Sequence, residues 1–335
     1  MDAPIMPISR VVTLREVAEA AGVSTAAVSQ AMNNTGTLSA NTRERIKEVA
    51  RQMGYVANQQ AASLRRRSTR SIGFVMNADA DPNSEQRWGA YYQRLLYSLV
   101  TTAGKRGYSV TIIPDNQPEL ILSSRVDVLY YLDSQHDDVI LAEARRLGTP
   151  VITNDLLTDE DSLLGIDSGY GDSTLAVLKL LEARGARRIG LLTEERGFPS
   201  DEIPEDLYVE WCAANSYESI VAHGDWGRTN LFDKIDELLA QNVDAIYSFY
   251  EEGPEILKYL EGRGKRVPED IQLVSACTGH CDPIEMERIS AVLFHPEKGP
   301  ELIFDDLIAL AEGKTDKRIH VKLPWELVEH GSTRS

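Results

Sequence analysis

Cysteine is scarce in this sequence, and only Cys212, Cys277 and Cys281 occur among 335 residues. A small and odd number of cysteines argues against a disulfide framework and predicts reduced thiols. Long hydrophobic runs are also missing, since no stretch approaches the roughly 20 apolar residues of a membrane-spanning helix. The N-terminus lacks the apolar core of a signal peptide. These absences predict a cytoplasmic chain without a membrane partner.

Positive charge is in short supply as well, because the formal net charge is −17. That balance looks unsuited to a nucleic-acid partner until it is divided along the chain. Residues 1–70 carry an excess of five positive charges, whereas the remainder carries an excess of 22 negative charges. This asymmetry suggests a small basic module that meets phosphate, attached to an acidic body. For the body alone, solubility is a sufficient reason for the negative charge.

Two short helices joined by a tight turn are predicted over Thr13–Asn33. Thr13 and Ser24 are suitable N-caps for these helices, and Gly22 suits the turn between them. The outer face of the second helix carries small and polar residues, namely Thr25, Ala26, Ser29, Gln30 and Asn33. The pattern is typical of a helix-turn-helix, whose second helix enters the DNA major groove. A plain helical hairpin is the alternative for this stretch taken alone.

A third helix beginning at Ser39 or Asn41 completes a predicted headpiece over residues 11–57, after a loose arm at 1–10. The next segment, 58–70, holds few large apolar residues and ends in a basic run. We predict that it is a hinge that becomes helical when two copies meet over DNA. Leu64 would then be a wedge in a minor-groove base step. The alternative is a flexible, solvated linker.

Residues 71–335 form a predicted body in which apolar strands alternate with helices. Such alternation indicates parallel sheets covered on both faces. There are more of these units than one small sheet needs. We therefore predict two α/β lobes, with a cleft at the C-terminal ends of the strands, where ligands bind in open α/β sheets.

The headpiece, hinge and two-lobed body, in this order, resemble the LacI/GalR family of bacterial transcription regulators. The most specific match is the stretch Val12–Ser24, followed by Val28-Ser29 and Gly54-Tyr55. Weaker matches lie in the body at Gly264–Ile271 and Leu323–Val328. The resemblance implies a periplasmic-binding-protein-like effector domain. It also implies a repressor that binds palindromic double-stranded DNA as a homodimer, or as a dimer of dimers, under the control of a small sugar-like or nucleoside-like molecule.

The resemblance further implies that the chain crosses between lobes near Gly185, Val292 and Lys322. Lobe 1 would then hold about 71–184 and 293–321, and lobe 2 about 185–292 and 322–335. Positions that match the family's base-reading and phosphate-contacting residues are Thr13, Ser24, Thr25, Ala26, Ser29, Gln30, Asn33, Thr42, Tyr55, Asn58 and, in the minor groove, Leu64.

Gln30 departs from the family, which usually has Arg at this position. Arginine pairs with guanine O6 and N7, whereas glutamine pairs with adenine N6 and N7. We therefore predict an operator half-site shifted from the family's usual preference.

The effector region departs further from the family. An Arg usual after the Ile189–Leu192 strand is missing from Asp201–Trp211, an Asn-Asp pair is replaced by Tyr250-Glu251, and an Asp by Cys277. These replacements suggest an unusual effector, or none. The candidate effector-binding residues are Asn77, Asp167, Asp172, Trp226, Tyr250 and Cys277, and the choice between the two aspartates stays open.

No catalytic pattern, cofactor motif or metal site is predicted. Cys277, His280 and Cys281 lack the second ligand pair that a zinc site usually has. The competing classes are a two-lobed sugar-binding protein, an enzyme on the same body, and a DNA-binding regulator without an effector. The basic headpiece and the missing signal peptide argue against the first two.

Overall fold

The computed structural model describes residues 12–32, 34–55, 68–77, 87–132, 134, 138–155, 162–195, 197–225, 229–278, 287–315 and 318–335. The chain divides into two compact units, Met1–Thr69 and Arg70–Ser335. The first unit holds three described helices: α1 (Leu14–Ala21), α2 (Thr25–Met32) and α3 (Ala40–Gln52).

Local capping sets the ends of the headpiece helices. Thr13 and Glu16 form a reciprocal capping box at the start of α1, and Gly22 ends that helix with φ of 64°. Ser39 caps α3 by accepting from the backbone N–H of Thr42 at 3.1 Å. Gly22 tolerates its left-handed backbone because glycine has no Cβ. The three helices bury one apolar core, formed by Val17, Ala18, Ala21, Val28, Ala31, Ile46, Ala50 and Tyr55.

Lobe 1 of the second unit is built on a parallel sheet with strand order β11-β5-β4-β3-β1-β2. Its strands are β1 (Ser71–Met76), β2 (Ser109–Pro114), β3 (Val128–Tyr131), β4 (Val151–Asn154), β5 (Ser162–Asp167) and β11 (Ile319–Lys322). Four helices of its described part are α4 (Arg87–Lys105), α5 (Glu119–Ser124), α6 (Val139–Leu147) and α11 (Lys298–Ala311). Helices α4 and α11 share one apolar cluster on the sheet, and α5 and α6 share the other.

Lobe 2 is built on a second six-stranded sheet, with order β12-β10-β9-β8-β6-β7. Its strands are β6 (Ile189–Glu194), β7 (Ile220–Gly224), β8 (Ala245–Ser248), β9 (Gln272–Cys277), β10 (Ser290–Phe294) and β12 (Trp325–Val328). All described pairs are parallel except β10 with β12. Helices α7 (Tyr170–Ala183) and α8 (Pro199–Asn215) pack against one face, and α9 (Leu231–Ala240) and α10 (Gly253–Gly262) against the other.

The predicted fold class, a helix-turn-helix headpiece with a two-lobed parallel α/β body, is confirmed. The first crossover differs from the expectation, because α7 packs in lobe 2 and the chain crosses at Ser168–Gly169 rather than near Gly185. A helix between two parallel strands has the same apolar pattern whichever sheet it covers, so the sequence could not assign α7. The other crossovers lie at 295–297 and 323–324.

Candidate DNA-binding face and ligand cleft

The N-terminal turn of α2 presents an exposed face. Ser24, Thr25 and Ala26 are all exposed, while Val28 and Ala31 on the opposite side are buried in the headpiece core. The Ser24 hydroxyl accepts a hydrogen bond from the backbone N–H of Ala27 at 3.1 Å and so caps the helix. Short side chains at this turn would allow the helix backbone to approach a groove closely.

Gln30 is half-buried, and the loop that follows α2 restricts its side chain. A Cβ placed on Gly36 would lie 2.5 Å from Gln30 Cδ and Oε1, so the glutamine lies directly against this glycine. The guanidinium of Arg43 donates to the carbonyl oxygens of Gln30 at 2.9 Å and Thr35 at 3.2 Å. The end of α2, the loop and α3 are therefore fixed to one another around the predicted base-reading residue.

The remaining predicted DNA contacts have structural roles of their own. The hydroxyl of Thr13 belongs to the α1 capping box, and that of Thr42 lies 2.8 Å from Ser39 Oγ. Tyr55 is 9% exposed and packs in the headpiece core, while Ser29 is half-buried. The predicted residues outside the described ranges are Asn33, Asn58 and Leu64.

A small cleft separates the C-terminal end of the lobe 1 sheet from two helix N-termini of lobe 2. Its free space is small, about 10 Å³ for the centre of a water-sized sphere, and its lining is Tyr91, Leu132, Asn154, Asp155, Tyr170, Pro199 and Ser200. Asn154 ends β4 and Asp155 follows it, while Tyr170 is the first residue of α7 and Ser200 the second of α8. The cleft thus forms where parallel strands end, as expected for open α/β sheets.

A polar network fixes the lobe 1 wall of this cleft. The side-chain amide of Asn154 donates to Ser168 Oγ at 3.2 Å and to Tyr91 Oη at 3.5 Å. A carboxylate oxygen of Asp155 accepts from the backbone N–H of Ser168 at 2.8 Å. Asp155 adopts φ of 61°, a left-handed backbone that aspartate tolerates better than most residues. These residues were missed in the sequence, although their position after a strand was a usable signal.

The predicted effector residues of lobe 1 lie at the sheet edge and the first crossover. Asn77 directly follows β1 and is half-buried. The ammonium of Lys322 pairs with Asp172 and lies 3.3 Å from a carboxylate oxygen of Asp167. Asp172, and then Asp167, raise the pKa of Lys322. This ion cluster joins the first and third crossovers, and neither aspartate lines the described cleft.

In lobe 2, two of the predicted effector residues are buried and do not line the described cleft. Tyr250 is completely buried, and its hydroxyl donates to the carbonyl oxygen of Thr193 at 3.2 Å, so it packs inside the lobe. Cys277 is 4% exposed and disulfide-bonded, whereas Cys212 is a buried free thiol. The expectation of reduced thiols is therefore wrong for Cys277. Trp226 lies outside the described residues.

Arg94 links the two lobes directly. From α4 of lobe 1 its guanidinium donates to the carbonyl oxygen of Thr278, just after β9 of lobe 2, at 3.2 Å. It also pairs at 3.1 Å with Glu297, in the second crossover. The hydroxyl of Thr278 in turn donates to the Glu251 carboxylate. One side chain thereby joins both lobes and a connecting segment.

Within the described parts of the chain, no helix is both long and apolar enough to cross a membrane. The same residues contain no cluster of three or more His, Cys, Asp or Glu side chains that could hold a metal ion.

Comparison with known proteins agrees with this architecture. The protein-family model described as "Bacterial regulatory proteins, lacI family" matches residues 13–58, and the family model "Periplasmic binding protein-like domain" matches residues 178–333. The transcriptional repressor CytR of Escherichia coli K12 is 25% identical over 347 aligned positions, covering 96% of both chains.

Two solved structures share the fold. The Lac repressor dimer bound to operator and the anti-inducer ONPF has a TM-score of 0.83 and 21% identity, over 97% of this chain and 100% of that one. The CelR–cellobiose complex has a TM-score of 0.67 and 22% identity, over 96% and 99%.

A helix-turn-helix headpiece followed by a two-lobed, periplasmic-binding-protein-like body defines the class of DNA-binding transcription regulators. This chain belongs to the lacI family of bacterial regulatory proteins. The family resemblance seen in the sequence is thus confirmed.

Proposed function

We propose that this chain represses transcription by binding a palindromic operator as a homodimer in the cytoplasm, and that it catalyses no reaction. The observation that carries the proposal is the exposed turn Ser24–Ala26 at the start of α2, on a headpiece of positive net charge. An acidic body would repel phosphate, so DNA contact is confined to the headpiece and its hinge.

Exposed apolar side chains on lobe 1 support a homodimer. Tyr97 and Val100 on α4 are 75% and 49% exposed, Ile112 on the edge strand β2 is 52% exposed, and Leu122 on α5 is 60% exposed. Both helices pack beside β2, so these side chains come from adjoining elements. Large exposed apolar side chains gathered in one region are typical of an interface, and a second copy of this chain is the partner that a palindromic operator requires.

The cleft between the lobes is the proposed effector site. Structures of the Lac repressor with ONPF and of CelR with cellobiose contain small molecules, which supports a small-molecule effector here. A ligand that binds one lobe arrangement better than another shifts the population of the two. Linkage then requires operator DNA and effector to change each other's affinity by the same factor.

The decisive experiment is selection of binding sites from random DNA with the full-length chain. We expect an enriched palindrome with adenine opposite Gln30 in each half-site, because glutamine pairs with adenine N6 and N7. Operator affinity should fall steeply with salt as counterions compete for phosphate. Failure to enrich any sequence would contradict the proposed function. Enrichment of the family's usual half-site would contradict the role of Gln30 alone.

Gln30→Arg should move the preference at that base pair to guanine. A bidentate side chain–base pair contributes about 1–3 kcal/mol of discrimination, or roughly 5- to 150-fold in relative affinity. Gln52→Arg is the matched control, since Gln52 is exposed at the end of α3 and the change adds the same charge to the headpiece. The control should strengthen binding to all sequences equally. An identical shift in base preference in both variants would show that added charge, not base reading, is responsible.

A further inference from the structure

An open groove lies between helices α9 and α10 of lobe 2. Its free space is about 470 Å³ for the centre of a water-sized sphere, which falls within the roughly 300–1,000 Å³ of small-molecule sites. The residues that line it are Phe232, Glu255, Lys258, Tyr259, Gly262 and Arg263. We infer that this groove binds a free aromatic amino acid in its zwitterionic form, at a site separate from the cleft between the lobes.

Two stacked aromatic rings give the groove a flat apolar surface. The rings of Phe232 and Tyr259 lie 12° from parallel, with their centroids 4.4 Å apart. Tyr259 is half-buried and packs against the apolar core of the lobe, whereas Phe232 is 43% exposed. A flat ring placed against this pair would remove apolar surface from water and add an aromatic contact.

Arg263 holds the aromatic pair in place without offering a free charge. Its guanidinium carbon lies 5.9 Å from the centroid of the Tyr259 ring. The same guanidinium donates to a carboxylate oxygen of Asp236, on α9, at 2.9 Å. This ion pair connects the two helices beside the rings, and Asp236 already balances the charge of Arg263.

One carboxylate and one ammonium in the lining remain for a ligand. Glu255 and Lys258 are both exposed, and neither has a hydrogen bond or an ion pair within the described parts of the chain. They stand three positions apart on α10, so they share one face of the helix with about 5–6 Å between their Cβ atoms. A free amino acid carries its ammonium and its carboxylate on one carbon atom, so it can meet both side chains at once. A simple amine or a simple carboxylate would meet only one of them.

Two effects oppose this recognition. Glu255 and Lys258 can pair with each other, but an exposed pair with this spacing changes an equilibrium by only about twofold. The N-terminus of α10 carries about half a positive charge, which disfavours an ammonium nearby. Glu255 lies in the first turn of α10, and its full negative charge exceeds that partial charge. Because both ion pairs with the ligand are exposed, we expect a dissociation constant on the order of 1 mM.

The test is a fluorine NMR titration of the full-length protein with para-fluoro-L-phenylalanine, a method suited to weak binding. The fluorine signal should broaden saturably, and L-phenylalanine should reverse the effect. Phenylpropionate lacks the ammonium and phenethylamine lacks the carboxylate, so each should compete about two- to fivefold less well. Alanine lacks the ring and should compete at least about tenfold less well. Equal competition by any of the three, or no saturable broadening, would overturn the inference.

Lys258→Met and Glu255→Gln locate the bound probe. Neither change removes a bond within the described protein, and each should weaken probe binding about two- to fivefold. Lys179→Met is the matched control for the lysine variant, because Lys179 is exposed on α7, which packs on the opposite face of the lobe 2 sheet. Equal weakening in Lys258→Met and Lys179→Met would show an effect of net charge alone and would overturn the site.

Phe232→Ala tests the aromatic surface and the alternative occupant, a second copy of this chain. It should weaken probe binding at least about fivefold and leave the oligomeric state unchanged in analytical ultracentrifugation. A lower oligomeric state in Phe232→Ala would show that the groove is a contact between copies and would overturn the inference. Failure of the wild-type chain to select a DNA sequence would refute the proposed function and leave this site standing, since no step of the probe assay involves DNA.

Discussion

Arg94 is the side chain whose removal should loosen the two lobes. Its hydrogen bond to the carbonyl of Thr278 is 3.2 Å long, and its ion pair with Glu297 is 3.1 Å long. A hydrogen bond from a charged group contributes about 1.5–3 kcal/mol when buried, but exposed ion pairs contribute only about 0–1 kcal/mol. The Arg94 side chain is 37% exposed, so we take roughly 1 kcal/mol. Arg94→Met should then increase the open population about fivefold.

Amide hydrogen exchange measures this opening without a ligand. The first turns of α7 and α8 begin at the cleft, where Tyr170 and Ser200 are 3% and 4% exposed. If their amides exchange through lobe opening, the rate follows the open population. We expect about fivefold faster exchange in these turns in Arg94→Met, and little change in the lobe cores.

Arg106→Met is the matched control for the Arg94 variant. Arg106 pairs with Asp305 of α11 at 2.9 Å, so both partners belong to lobe 1 and the pair spans no cleft. The control should leave exchange in the first turns of α7 and α8 unchanged. Unchanged exchange in Arg94→Met, or an equal increase in both variants, would refute the assignment of Arg94 as a link between lobes.

Two further predictions concern the crossovers. Gly169→Ala should destabilise the body by roughly 2–4 kcal/mol, because Gly169 has φ of 82° and a Cβ there would lie 2.4 Å from Trp325 Cδ1. The control Gly148→Ala, at φ of 68° with no atom within 4 Å of the added Cβ, should cost only the backbone strain of about 1–2 kcal/mol. Equal losses of unfolding free energy in denaturant titrations of the two variants would refute the steric argument. Asp172 raises the pKa of Lys322, so the ion cluster stabilises the fold fully below the ordinary lysine pKa of about 10.4 and loses its effect as the pH rises through the raised value. The melting-temperature difference between wild type and Lys322→Met should therefore be small but constant from neutral pH upward and shrink only above that pKa, whereas a difference that vanishes near neutrality would contradict the pairing.

The headpiece could be predicted from sequence because its structure is encoded locally. The caps at Thr13 and Ser39 and the glycine at the end of α1 set helix boundaries within a few residues. Tyr55 shows the limit of this reasoning. A tyrosine next to a helix end carries both a ring and a hydroxyl, and only the packed structure shows that the ring lies in the core.

The cleft could be predicted only in its position. Parallel strands place their ends together, which indicates where a ligand binds but not which strand ends remain open. Tyr250 follows a strand of lobe 2, yet burying its ring and satisfying its hydroxyl on Thr193 is favourable, so it fills the lobe. Asn154 and Asp155 occupy the equivalent place in lobe 1 and remain in the lining. Which strand-end residue stays in the lining depends on the space that the neighbouring side chains leave, and a single sequence does not give that space.

The lining residues Asn154 and Asp155 lie close to the first crossover. A ligand bound in the proposed effector cleft would therefore act near the point where the chain passes from one lobe to the other. Asn154 and Asp155 both bond to Ser168, the residue directly before Gly169, where the chain crosses. A ligand that recruits either side chain competes with these bonds and acts on a segment already in the left-handed conformation beside Trp325. Occupancy and lobe rotation are then coupled through one residue. Substituting Ser168 should consequently alter the coupling between effector and operator more than the affinity of either ligand measured alone.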